Sequence, residues 1–301
     1  MELRVEETHP PKGTLATVRA ALCSPGAPLL LLASLLLMVA HFHRPCPPAW
    51  QPPAGFCVQW WGWALLSLAG LVLALYSLRY FALPTAAKVL LLGGPLLAVS
   101  HFYKGLPFIP PEVLPQEYRI YGWSLFNIIV LLVVPLALLR PVLGLSLRDV
   151  GWRVGEVRVW GKHVAVYAAI MLPAIAIVSR WPQFRHAYPH IVMYGWDPHN
   201  TGALVAWELG YATYFLAWEF FYRGLLLHGT SRELGPLAIA IQTLPFVLTH
   251  SGKPEPEALG AIIAGVALGT TSYMSGSFLG CWIIHCLCAC GLDLLVVLWP
   301  A

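Results

Sequence analysis

Charge is what this chain has least of. Its 301 residues include 18 Lys/Arg and 14 Asp/Glu, so 11% are charged where an ordinary soluble domain has about 25%. The net charge of +4 is spread over connecting segments, and no basic patch is interleaved with aromatics. That excludes nucleic acid as a partner. No HExxH sequence occurs, so two zinc-ligating histidines one helical turn apart are missing. No internal repeat is evident, which counts against a transporter built from two matching halves. The first 25 residues mix Arg4, Lys12 and Arg19 with Glu2, Glu6 and Glu7, and the run from Pro28 to Phe42 ends without a small-x-small pattern. A retained first helix is expected there, not a cleaved signal peptide.

Apolar residues fill the space that charge leaves, at 58% of the chain. Stretches of the length a bilayer core demands fall at 27–42, 57–77, 86–102, 122–139, 163–179, 201–229, 235–250, 258–274 and 277–299. The pattern predicts an all-α polytopic membrane protein, with eight or nine transmembrane helices in one bundle. Its expected parts are a polar tail (1–25), N-terminal transmembrane helices (26–160) and a C-terminal core (161–301). With the N-terminus cytoplasmic, inner segments hold eleven Lys/Arg residues against six outside, the expected bias. The longest polar connection, 140–162, is basic enough to lie on an anionic inner leaflet. Trp60, Trp61 and Trp63 read as interfacial anchors, and Cys46 and Cys57 as a pair that an oxidising compartment would join.

Four ionisable residues stand out against this background: Glu219, Arg223, His250 and His285. Each costs roughly 2.5–3.5 kcal/mol at the centre of a bilayer on insertion scales. Glu219 and Arg223 are four apart, hence on one helix face and within ion-pairing reach. Alone, that pair could simply pin two helices, and His250 could simply cap a helix end. Counting from the turns at 1.5 Å per residue puts Glu219 roughly 20 Å, His250 roughly 27 Å and His285 roughly 15 Å above the inner surface. A shared cavity is therefore allowed. Together the groups suit general-base chemistry on water, with Glu219 as base and the histidines holding water or donating to an oxyanion.

These residues carry a family resemblance. WEFFYRG at 218–224, FVLTH at 246–250, KPEPE at 253–257 and the histidine of WIIH at 285 resemble the ordered motifs EExxxR, FxxxH and HxxxN of the CPBP family. That family includes type II CAAX prenyl endopeptidases and bacterial immunity or abortive-infection relatives. The resemblance covers about 165–299. It implies a glutamic-type intramembrane endopeptidase that uses no metal or other cofactor and cuts near the C-terminus of a membrane-associated protein with a hydrophobic or lipidated tail. A bacterial branch of the myxosortase type, with one glutamate preceded by tryptophan, looks similar; it implies a multi-pass protein of the bacterial inner membrane. Two departures stand out. Trp218 occupies the place of the first glutamate, and Ala289 that of the asparagine; neither can do the replaced residue's chemistry. Either Glu219 has taken the base role, or the chain is a non-catalytic scaffold or immunity protein that keeps the fold.

The same stretch supplies candidates for substrate contact or support of the site. They are Lys253 and Glu257 in the lysine–proline loop, Asp293 eight residues past His285, and Glu208 eleven before Glu219. Glu208 is expected at the outer end, solvated or lining a water path. Asp293 lies about 80° around the helix from His285. His199, Asn200 and Thr201 read as a helix cap. Cys281, Cys286, Cys288 and Cys290 read as small packing residues, with thiol or metal roles as alternatives. Zinc held by Glu219, His250 and His285 is a further alternative.

Overall fold

The structure, a computed structural model, describes residues 13–24, 26–32, 34–35, 69–70, 72–73, 76, 82–102, 115–197, 199–251 and 253–299. Most of the 57–77 span, the tryptophans at 60–63 and the Cys46–Cys57 pairing lie outside the described residues. Those described fold entirely as helices, turns and loops. In chain order they are α1 (Thr14–Leu22), α2 (Thr85–Phe102) and α3, made of Gln116–Ile128, a π turn Ile129–Val133 and Val134–Leu139. Next come α4 (Val157–Val178), the short α5 (Pro182–Ala187) and a 3-10 turn His190–Tyr194. α6 runs over Thr201–Glu219, continues as a π helix Phe220–His228 and ends with Gly229–Leu234; α7 (Leu237–Leu248), α8 (Glu255–Ser275) and α9 (Leu279–Leu298) complete the bundle.

Among the described residues, Glu117–Leu139, α4, α8 and α9 are long and apolar enough to cross a membrane, while Thr85–His101 and α7 are shorter apolar helices. The shortness of α7 has a local cause: after Leu248 the chain turns through Thr249–Ser251 into a proline-bearing loop. α8 then starts with Glu255 and Glu257 in its first turn, where they complement the helix dipole. It stops at Gly276, whose φ of 68° suits a residue without Cβ. Asn200 caps α6 as expected, its Oδ1 accepting from Ala203 N at 3.1 Å.

Two polar ends bound the bundle. One gathers α5, Lys253 and Glu257, with the Arg185 guanidinium donating to Trp299 O at 2.6 Å. The other gathers the loop after α3 and the α8–α9 turn, where Glu156 N donates to Ser275 O at 2.9 Å and Arg153 Nε to Gly276 O at 2.9 Å. The basic residues of this loop, Arg140, Arg148 and Arg153, are exposed. Its apolar residues tuck under α6, burying Leu143, Leu145 and Val150 and setting the Trp152 ring 5.5 Å from both Phe220 and Phe278. Part of the expected 1–25 tail is likewise packed. Ala21 of α1 is buried with Leu227, Ala238 and Ile239, and the Thr14 hydroxyl meets His163 Nε2 at 3.1 Å. One apolar core runs from Val89 in α2 to Phe278 before α9, across the expected boundary at 160.

Candidate active site

The periodicity of α6 builds the site. Trp207, Tyr211, Phe215 and Glu219 recur every four residues and share a face toward α9; Tyr214, Trp218 and Tyr222 form the adjacent stripe, toward α7. On the first stripe the rings of Trp207 and Tyr211 lie 4.7 Å apart, and those of Tyr211 and Phe215 4.3 Å apart. Phe215 then stacks on the His285 imidazole at 4.1 Å. α9 is fixed alongside by Trp282 Nε1, which donates to Ala212 O at 2.8 Å. The stack leaves His285 little rotational freedom and turns its Nδ1 toward Glu219.

At the foot of that stripe the polar centre forms. His285 Nδ1 donates to Glu219 Oε1 at 2.6 Å, and Arg223 Nη1 donates to the same oxygen at 3.1 Å. Glu219 and Arg223 are wholly buried, whereas the His285 side chain keeps 15% of its surface exposed. The guanidinium lies 4.0 Å from the Phe246 ring centre, so α7 closes over it. Arg223 sits in the π stretch of α6, whose wider turns re-aim side chains and recur at functional sites.

His250 completes the group from just beyond α7. Its Nδ1 donates to Phe246 O at 2.7 Å, which fixes that tautomer and leaves Nε2 as an acceptor. The Phe246 ring lies 4.5 Å from His250 and 6.3 Å from His285, so both imidazoles flank one phenyl ring. Trp218 packs 6.2 Å from His250, edge to face, with its Nε1 buried and without a partner. Glu219 Oε2 and Arg223 Nε and Nη2 also lack partners.

The other candidates fall into two places. Lys253 Nζ donates to Tyr188 OH at 2.9 Å and meets His190 Nε2 at 3.1 Å, while Tyr188 OH donates to both Glu257 oxygens at 2.7 Å. Burial, and then the Lys253 ammonium, hold His190 well below its usual pKa; it accepts as a neutral ring. Lys253 and Glu257 thus clamp the Tyr188–His190 segment to the start of α8. Asp293 is wholly buried and accepts from Trp207 Nε1 at 2.8 Å, with Glu208 beside it. The Glu208 oxygens are buried rather than solvated. This acid pair stands at the far end of the aromatic stack, apart from His285. Tyr188, His190, Trp207 and Phe215 were not singled out from sequence; the four-residue aromatic repeat of α6 was the available signal for two of them.

Among the described residues no three of His, Cys, Asp and Glu are grouped to hold a metal ion, so the zinc alternative finds no ligand cage. Cys281 is buried, donating to Leu268 O at 3.1 Å, and packs between α8 and α9. Comparison with known proteins adds one finding. Residues 199–291 match the family described as type II CAAX prenyl endopeptidase Rce1-like, a stretch that holds Glu219, Arg223, His250 and His285 and ends before Asp293. No curated protein and no solved structure matches the chain.

Proposed function

We propose that this chain, whose residues 199–291 are an Rce1-like protease segment, is an intramembrane endopeptidase hydrolysing a peptide bond near the C-terminus of a membrane-associated protein. One observation carries the reading: a sealed carboxylate, Glu219, is held by Arg223 on one side and orients the partly exposed imidazole of His285 on the other. Water reaches the ring before it reaches the carboxylate. The base of the reaction is therefore His285 Nε2, with Glu219 as the group that fixes its tautomer and stabilises the imidazolium, a revision of the expectation that Glu219 itself takes the proton.

The water donates one hydrogen to His285 Nε2 and the other to His250 Nε2, both acceptors in the neutral rings. Its oxygen adds to the scissile carbonyl carbon as His285 takes the proton. The imidazolium, paired with Glu219, then passes that proton to the leaving amide nitrogen as the C–N bond breaks. Products are a new C-terminal carboxylic acid and a free amine, which become carboxylate and ammonium as the second water proton moves from one to the other. Arg223 neutralises the carboxylate without touching the reacting atoms and is a positioning residue.

The substrate class follows from the setting. The site lies inside an apolar bundle, so the substrate is a protein whose C-terminal tail is apolar or lipidated. The basic bias supports a cytoplasmic N-terminus, with 182–190 and 253–257 at the outer end; a bacterial inner membrane is the setting that the motif resemblance suggests. The polypeptide beyond the described helices is proposed to bring the bundle to eight or nine spans.

The test compares C-termini of membrane and surface proteins by mass spectrometry in cells carrying the wild-type chain, His285→Ala or Glu219→Gln at equal membrane abundance. Shortened C-termini are expected with wild type alone. Shortened C-termini that persist in both variants would overturn the reading in favour of a scaffold that serves another protease.

A further inference from the structure

Hydrogen-bond accounting exposes a gap in the proposed reaction, and Trp218 fills it. The transition state develops negative charge on the carbonyl oxygen, and preorganised N–H or O–H donors must meet it. His250 and His285 each use Nδ1–H on a protein acceptor, Phe246 O and Glu219 Oε1, so both Nε2 atoms face the reaction as acceptors. Ala289 has no donor. The unpartnered N–H groups of Arg223 belong to a side chain with no exposed surface under Phe246, whereas Trp218 keeps 9%. Among the described residues, a buried and unpartnered donor does stand beside His250: Trp218 Nε1–H, although indole N–H groups in protein interiors nearly always find a partner.

We infer that Trp218 Nε1–H binds the carbonyl oxygen of the scissile bond and stabilises the oxyanion, a catalytic role that rests on the hydrolase reading above. The indole is well held for this. Its ring lies 5.0 Å from Tyr222, 5.6 Å from Tyr214 and 6.4 Å from Phe246. On α6 it stands one residue, about 100°, from Glu219. Trp218 and His250 therefore make one wall of the site, and Glu219 with His285 the other; the carbonyl lies between donor and base. During attack the carbonyl π pair moves onto oxygen and accepts the indole hydrogen bond. It returns to re-form C=O as the amide nitrogen leaves, and no proton leaves the indole. Tryptophan at the place of the first motif glutamate is thus an exchange of a carboxylate for a donor, not simply the loss of a group.

The test uses full-length protein in detergent and the tail peptide that the wild type cleaves. Trp218→Phe removes the N–H and keeps an aromatic ring; replacing Trp218 with benzothienylalanine keeps the bicyclic shape and exchanges N–H for sulfur. Both should lower kcat by about 10²–10³-fold with KM little changed. Both should also weaken a peptidyl trifluoromethyl ketone, which binds as its tetrahedral hydrate, by the same factor, while leaving affinity for the matching uncleavable peptide intact. Full kcat in the benzothienylalanine protein, with His285→Ala inactive, overturns the indole role and leaves the hydrolase reading standing. Full activity of His285→Ala overturns both.

Discussion

Catalysis and stability make opposite demands on the Glu219–Arg223 pair, and a double substitution separates them. At 3.1 Å, with an effective dielectric constant of about 20, the attraction between the two charges is about 5 kcal/mol. Glu219→Leu removes it and leaves a guanidinium with no exposed surface, no counter-ion and a phenyl ring 4.0 Å away. Breaking a buried pair from one side costs about 3–5 kcal/mol. Glu219→Leu should therefore insert poorly or unfold at a markedly lower temperature in detergent. Adding Arg223→Met removes the orphaned charge and fills its volume with apolar atoms, and such replacements are often neutral. The double variant should melt near wild type. It should nevertheless be inactive, because His285 loses the acceptor that fixes its tautomer; loss of the equivalent acceptor in a serine-protease triad costs about 10⁴-fold in kcat. Melting followed by light scattering, with peptide cleavage assayed in parallel, reads both quantities. A double variant that cleaves at more than a tenth of the wild-type rate would refute the role given to Glu219. One as unstable as Glu219→Leu would refute the charge argument.

Further outcomes are expected elsewhere in the fold. Gly151 has a φ of 68°, and a Cβ there would stand 2.5 Å from His228 Cδ2, so Gly151→Ala should cost about 2 kcal/mol, read as a lower melting temperature. Tyr188→Phe removes the hydroxyl shared by Lys253 and Glu257 and should loosen the clamp by about 1–3 kcal/mol; hydrogen exchange across 182–190 should quicken, and unchanged exchange would show the clamp to be idle. The Ser146 hydroxyl and amide, with Arg232 contributing less, hold Asp149 below its usual value of 3.8, while partial burial opposes them. A lowered folded-state pKa gives stability that is full above pH about 4 and lost as pH falls through 3.8 and below. Asp149→Asn should flatten that acid limb by under about 1 kcal/mol, as befits a half-exposed pair. Because no three metal-binding side chains are grouped among the described residues, EDTA should leave cleavage by the purified protein unchanged.

The apolar helical class and the grouping of Glu219, Arg223, His250 and His285 were legible in the sequence for one reason: apolar surroundings make every retained charge conspicuous. Glu219, Arg223, His250 and His285 could be picked out because a bilayer has no use for them otherwise, and helix arithmetic placed them at comparable depth. Span count was less legible, because α7 is cut short by a turn and α6 carries its own polar residues through a π stretch that no 3.6-residue template anticipates. The connection 140–162 was legible only on its basic side: Arg140, Arg148, Arg153 and Arg158 are exposed, while the apolar residues between them, Leu143, Leu145 and Val150, pack into the bundle.

Roles within the site were least legible, because they depend on which nitrogen of each imidazole is already occupied. Sequence treats His250 and His285 as equal candidates for donor or acceptor. The Phe246 carbonyl and the Glu219 carboxylate remove that freedom, one ring at a time, and both rings become acceptors on the open side. Once both are acceptors, the proposed reaction needs a donor from elsewhere, and the residue that looked like a defect in the motif carries an unpartnered N–H. Trp218 reads as a lost glutamate when the chain is taken position by position. It reads as the proposed donor when the hydrogen bonds of the two imidazoles are counted beside its own free N–H.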